Sequence, residues 1–427
     1  MRKAPLVLVA AVALLAGCSS SVESTESNAS PASTVDPRGG VPPGYPLDKD
    51  VATPLVITAL GPDPIPVTGT DGKIHVAYEI QLFNVTPRPV TITEVETLAD
   101  GPDGVVVTTV GEAEVAARTL QFPAAPVPVT DIAPGRTVVL LLDDVYDSRD
   151  DVPAEVTHRI TATLGTASPG SEAFGALYPD ATTQIGGAVR TSTASPVVIG
   201  PPVAGDGWIA DNSCCVMNAH RGVVLALGGR MNGAERFGID WMQTGQDNAV
   251  AVGDGTRNED YYGYGAELLA VADGTIVTVV SDRPDVPPKI LPEGVAFEQL
   301  AGNYVIIDIG DGNFAFYAHM IPGSVSVEVG DKVTRGQAIG RLGNSGNTTA
   351  PHLHFHLSRA PLPLSGDNVA YEIDRFTFIG AVDVEAAPTD EGIFVTVSEG
   401  PNAGERTNQL PLYSTLVNFR AFPDVPA

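Results

Sequence analysis

The run Ala350-Pro351-His352-Leu353-His354-Phe355-His356-Leu357 sets three imidazoles at alternate positions of an apolar stretch. Alternation is the period of a β-strand, so the three rings are expected on one face, with Leu353, Phe355 and Leu357 anchoring the other in a core. Neutral imidazole is the commonest side-chain ligand of transition metals, and residues i and i+2 of a strand converge on one point without backbone strain. Two histidines do not complete a metal site, and a histidine-rich surface strand is the simpler alternative. Histidine is scarce, however: there are seven in 427 residues, and five of them (His220, His319, His352, His354 and His356) fall in the last half. The approach to the strand, Gly340 to Thr349, reads GRLGNSGNTT, a turn-rich loop whose glycines allow close backbone approach beside a pocket. Upstream, Phe316-Tyr317-Ala318-His319 is a second alternating run that ends in a histidine. The pattern is that of a site assembled from several strands.

The elements that must position these residues are strands joined by turns. Gly 45 and Pro 36 exceed a sixth of the chain together, which argues against long helices. Between residues 51 and 196, runs such as Ile74 to Leu82, Val90 to Val95, Thr137 to Leu142 and Arg159 to Leu164 alternate or are β-branched, with Pro/Gly/Asp turns between them. That spacing predicts an immunoglobulin-like β-sandwich with no catalytic constellation of its own, serving as a spacer or binding partner. His75 and His158 read as isolated surface or strand residues. A Pro/Gly-rich join from Ile199 to Trp208 leads into a second domain, 197–385, that contains the histidine strand. There, the proline-rich stretch 282–301 interrupts two strong strands and is expected to form a rim loop over the groove. Residues 386–427 read as a C-terminal extension with short strands. The fold class is mostly β.

The segment from Gly263 to Leu357 resembles the lysostaphin/LytM-type zinc metallopeptidases. The resemblance is carried by AVADGTIVTVV, GNYVIIDIGDG, FYAHM and VEVGDKVTRGQAIGRLGNSGNTTAPHLHFHL, and it extends upstream to Phe237-Gly238-Ile239-Asp240. It implies a LytM-type β-sheet peptidase domain whose groove holds one zinc and hydrolyses peptide bonds in peptidoglycan. By that pattern Asp240 and His354 are metal ligands, and His319 and His352 are catalytic histidines that do not bind the metal. The family's first ligand, four residues before the aspartate, is replaced here by Arg236, and a guanidinium cannot deprotonate to bind zinc. An Arg236–Asp240 ion pair would occupy the metal position and leave a metal-free module that binds wall peptides or regulates a separate hydrolase.

Two residues can substitute for the missing ligand. His356 shares a face with His354 but lies roughly 6.5 to 7 Å further along an extended strand. His220 is preferred, because Cys214-Cys215, His220-Arg221 and the later Phe-x-x-Asp-Trp look like a secreted subgroup of this family that lacks the usual first histidine. With zinc held by His220, Asp240 and His354, a bound water with its pKa lowered toward about 7 is the expected nucleophile. His352 is then placed to accept its proton, and His319 to stabilise the oxyanion or protonate the leaving amine. A third alternative is a zinc-storage or sensing surface on the histidine strand.

Met1-Arg2-Lys3, the apolar run to Leu14 and Leu15-Ala16-Gly17-Cys18 read as a lipoprotein signal over residues 1–18, with a match to the bacterial lipobox. This implies acylation of Cys18 and tethering to the outer face of the membrane. Residues 19–50, poor in anything to bury, are expected to form a disordered stalk reaching roughly 100 Å at about 3.3 Å per residue. Export into an oxidising compartment permits a vicinal disulfide between Cys214 and Cys215, with pairing between chains or two reduced thiols as alternatives. A formal charge of -27 disfavours nucleic acid as a partner and leaves a peptide substrate open.

Overall fold

The alternating runs become strands close to where the sequence places them, among them Ile74–Asn84, Val90–Ala99, Thr137–Tyr146 and Glu155–Leu164. The computed structural model describes residues 51–122, 131–245, 247–383 and 392–420. The signal segment, Cys18 and the stalk lie outside the described residues.

The first part is built from two five-stranded antiparallel sheets. Tyr78, Ile80, Leu82, Leu140 and Leu142 from one sheet meet Ile92, Val95, Ile160 and Ala162 from the other in a single apolar core. The Ile74–Asn84 strand is covered on both faces. Its residues Ile74, Val76, Tyr78, Ile80 and Leu82 fill that core, while His75, Ala77 and Glu79 point the other way and are buried too. Ala77 joins the core of the second part, so the outer face of this strand around His75, Ala77 and Glu79 is packed against the rest of the chain rather than against water.

His75 and His158 are therefore not surface residues; they are 7% and 0% exposed. The Nδ1 of His75 lies 2.8 Å from the Asp143 carboxylate. Burial opposes charge on His75, but the Asp143 and Asp71 carboxylates outweigh it and raise its pKa to about 10. His158 sits 2.9 Å from the Tyr78 hydroxyl, and burial lowers its pKa to about 4. A period of two reports which residues share a face, not what covers that face.

The second part is organised by a ten-stranded sheet. The histidine strand, Leu353–Ser358, lies in its middle between Phe314–Ala318 and Ile239–Gln243, antiparallel to both. Leu353, Phe355 and Leu357 are 0% exposed and pack into the main core with Trp241, Tyr317 and Tyr371, which rigidly fixes the opposite, histidine-bearing face. The C-terminal residues do not stand apart as an extension. Thr415–Phe419 pairs with Gly205–Asp211 on one side and Phe376–Asp383 on the other, and Val417 and Phe419 enter the same core. Short β runs show their own period but not their neighbours, which is why the sequence left them unplaced.

Candidate metal centre

Strand register brings the chemistry together. His354 is paired with Asp240 on one neighbouring strand and with Ala318 on the other, which puts His319 just past the end of the same level. His220 arrives from an irregular loop between the strands Gly205–Asp211 and Val224–Leu227. The His354 Nδ1 lies 3.0 Å from an Asp240 carboxylate oxygen and 3.1 Å from the His220 Nε2, and that Nε2 lies 3.1 Å from the other Asp240 oxygen. Zinc bonds of about 2.0–2.1 Å in a tetrahedron place their donor atoms about 3.3 Å apart. Two imidazole nitrogens and a carboxylate, converging at close to that spacing, fit zinc in both geometry and donor type.

Arg236 takes no part in this cluster. The ion pair with Asp240 that the sequence left open as the metal-free alternative does not form. Its guanidinium turns away to Glu79 on the outer face of the first part, with Nε donating to both carboxylate oxygens at 3.1 Å and Nη2 to Oε2. Asp240 is engaged instead by His220, by the Nε2 of His352 at 3.3 Å, and by the Asn212 side-chain amide, which donates to it at 2.9 Å.

Electrostatics point the same way. Burial by itself would raise the Asp240 pKa, but His220 and His352 reverse that and hold it well below the usual carboxylate range. Burial likewise opposes charge on His220, yet Asp240, with a smaller push from Glu235, raises its pKa to about 10. The ionised Asp240 carboxylate thus favours the charged forms of His220 and His352. A divalent cation among the same donors satisfies the same charge, at the cost of the His220 proton.

His319 and His352 flank the cluster with their ring centroids 4.7 Å apart. The Nδ1 of His352 lies 2.8 Å from the Ala350 carbonyl and that of His319 lies 2.7 Å from the Ser345 carbonyl. Each carbonyl can only accept, so Nδ1–H donates the hydrogen bond and Nε2 is the ring nitrogen left outside it. Burial, then His352 and His354, holds the His319 pKa well below its ordinary value. His319 adopts φ 64°, a left-handed conformation uncommon for a residue with a side chain. The glycines of the approach loop explain how Ser345 is held. Gly346 has φ +87° and packs on Gly302, itself at φ +62°; a Cβ on Gly302 would stand 2.2 Å from the Ser345 carbonyl oxygen. The stretch 282–301 runs along this loop, with Val286 N–H donating to the Asn344 carbonyl at 2.8 Å.

His356, the other substitute ligand, lies on the far side of His354 from Asp240, its Nδ1 2.9 Å from the His354 Nε2. It is placed to fix the ring of His354 rather than to share its ion. Cys214 and Cys215 are joined by a disulfide at the start of the His220 loop. Sequence reasoning missed Asn212, Glu79 and Glu235, whose carboxylate lies 3.7 Å from the His354 Nε2 and joins His220 and His354 in a set of donors within 4.8 Å. Glu235 stands beside Arg236 in a segment already singled out, whereas Asn212 and Glu79 carry no spacing signal.

Residues 259–368 match peptidase family M23. That segment contains His319, His352, His354 and His356 and begins after His220 and Asp240. The chain is 47% identical over 57 residues to peptidoglycan DD-endopeptidase ShyA of Vibrio cholerae serotype O1, which is 13% of this chain and 13% of that protein. It is 38% identical over 100 residues to peptidoglycan DD-endopeptidase ShyC of the same organism, 23% of this chain and 19% of that protein. It therefore spans under a fifth of the length of either relative. Among solved structures, the catalytic domain of the antimicrobial peptidase lysostaphin from Staphylococcus simulans aligns at 23% identity and a TM-score of 0.20, covering 36% of this chain and 80% of that one.

Proposed function

We propose that this chain, with its M23-type segment, is an exported zinc metalloendopeptidase that hydrolyses peptide bonds in peptidoglycan and is held to the outer face of the membrane through Cys18. The observation that carries the reading is the convergence of His220, Asp240 and His354 donor atoms at 3.0 to 3.1 Å. The names of the M23 relatives support the substrate class. Zinc among these donors would supply Lewis acidity and an activated water near neutral pH. The chain's own residues do the rest. His352 takes up the proton of the attacking water at Nε2, its ring oriented by the Ala350 carbonyl. His319, fixed by the Ser345 carbonyl, turns Nε2 toward the oxyanion or the leaving amine.

The test is zinc content of the chain lacking residues 1–18, purified without added metal, followed by digestion of purified peptidoglycan. About one zinc per chain is expected, lost in both His220→Ala and His354→Ala, with hydrolysis lost in His352→Ala while zinc is kept. Wild-type protein without zinc would sink this reading. It would select the alternative, a metal-free module binding wall peptides or regulating a separate hydrolase.

A further inference from the structure

A metal ligand on an irregular loop needs something rigid to hold it. For His220 the holding groups come from the first part of the chain. Next to His220, Arg221 donates from Nη1 to Glu79 Oε1 at 2.5 Å and from Nη2 to the Leu142 carbonyl at 3.0 Å. At the start of the loop, Cys215 packs beside His75 and Asp143, their donor atoms within 4.8 Å of one another. Arg236, four residues before Asp240, donates to both Glu79 oxygens, with Nη2 on Oε2. Glu79, Arg221 and Arg236 are 1%, 2% and 4% exposed, so none of these charges is softened by water. One carboxylate from the two-sheet part thereby anchors two of the segments that bring groups to the metal centre, those of His220 and Asp240.

We propose that the two-sheet part is a structural component of the metal centre, in which Glu79 is a positioning residue that draws Arg236 away from Asp240 and, through Arg221, sets His220 in the vacated ligand position. The two halves of this exchange are one arrangement. The same carboxylate that removes the guanidinium from the site brings the imidazole in. The inference rests on the reading of His220 as a ligand.

The test uses the whole chain after Cys18 as wild type, Glu79→Gln and Ile160→Val. Ile160→Val trims the two-sheet core without touching the interface. Two readouts are taken well below the unfolding temperature: amide hydrogen exchange of residues 213–223 in metal-free protein, and Co2+ affinity by optical titration against a chelator. In Glu79→Gln, exchange of 213–223 should quicken about tenfold or more while Leu353–Ser358 stays protected. Co2+ affinity should fall by about 10- to 100-fold. Ile160→Val should move neither. Unchanged exchange and affinity in Glu79→Gln would overturn the proposal, as would equal changes in Ile160→Val. If Glu79→Gln does not fold, Arg221→Lys, which keeps the charge but shortens the reach, carries the same comparison. A wild-type chain that binds no Co2+ refutes the metallopeptidase reading, and exchange of 213–223 then decides separately whether Glu79 positions the loop.

Discussion

Restoring the family's histidine with Arg236→His is the substitution that sequence comparison invites, and the structure predicts that it fails. The Arg236 side chain does not face Asp240; it is spent on Glu79, through Nε to both oxygens and Nη2 to Oε2. An imidazole is shorter and cannot reproduce that fork, so the buried Oε2 loses its donors. Charge-assisted hydrogen bonds are worth about 1.5–3 kcal/mol each, and breaking a buried ion pair costs about 3–5 kcal/mol. Arg221 remains on the other oxygen and still balances the charge, which keeps the loss below that upper figure. The expected destabilisation is about 2–4 kcal/mol. Urea denaturation of metal-free protein measures it, and zinc per chain measured beside it should not rise. A loss below about 1 kcal/mol would refute the energetic argument. Arg236→His that returned zinc to His220→Ala protein would show that position 236 still serves as a ligand position and would refute the geometric one.

Three other outcomes follow from the same structure. Because the His75 pKa is raised to about 10, its contribution to stability is complete below about pH 6.5 and is lost as pH rises through 10. His75→Gln should therefore remove a few kcal/mol, on the order of magnitude set by that shift, at pH 6.5 and little at pH 10.5; denaturation curves that differ equally at both pH values would contradict the assignment. Gly302→Ala puts a methyl 2.2 Å from the Ser345 carbonyl that orients His319, so kcat on peptidoglycan should fall and stability drop by about 1–3 kcal/mol with zinc content kept. Unchanged kcat would remove the Ser345 carbonyl from the account. His356→Leu frees the Nε2 of His354 and should weaken zinc binding by about 10-fold or more, read by chelator competition; wild-type affinity would mean that His354 is oriented by other contacts.

Much of this architecture is legible in the residues. Alternation alone predicts the strands at Ile74–Asn84 and Leu353–Ser358, the apolar anchor of Leu353, Phe355 and Leu357, and the shared face of His354 and His356. The resemblance to LytM-type peptidases points to Asp240, His319 and His352, and the Cys214-Cys215, His220-Arg221 and Phe-x-x-Asp-Trp pattern points to His220 as the substitute ligand. These are local signals, written in a period of two or in neighbours along the chain. What the sequence does not contain is the partner of Arg236. Glu79 lies 157 residues away on a strand whose charged position looks like one facing water. His75 and His158 lie in strands as read, but His75 is buried on that same face and His158 beside Tyr78 between the two sheets, and Thr415–Phe419 shows no sign that it completes the sheet beside Gly205–Asp211. Only the packing of one sheet's outer face against the second part decides which groups are buried. Burial, in turn, decides that a guanidinium pairs with Glu79 and leaves Asp240 to His220, because a buried charge without a partner is too costly to keep.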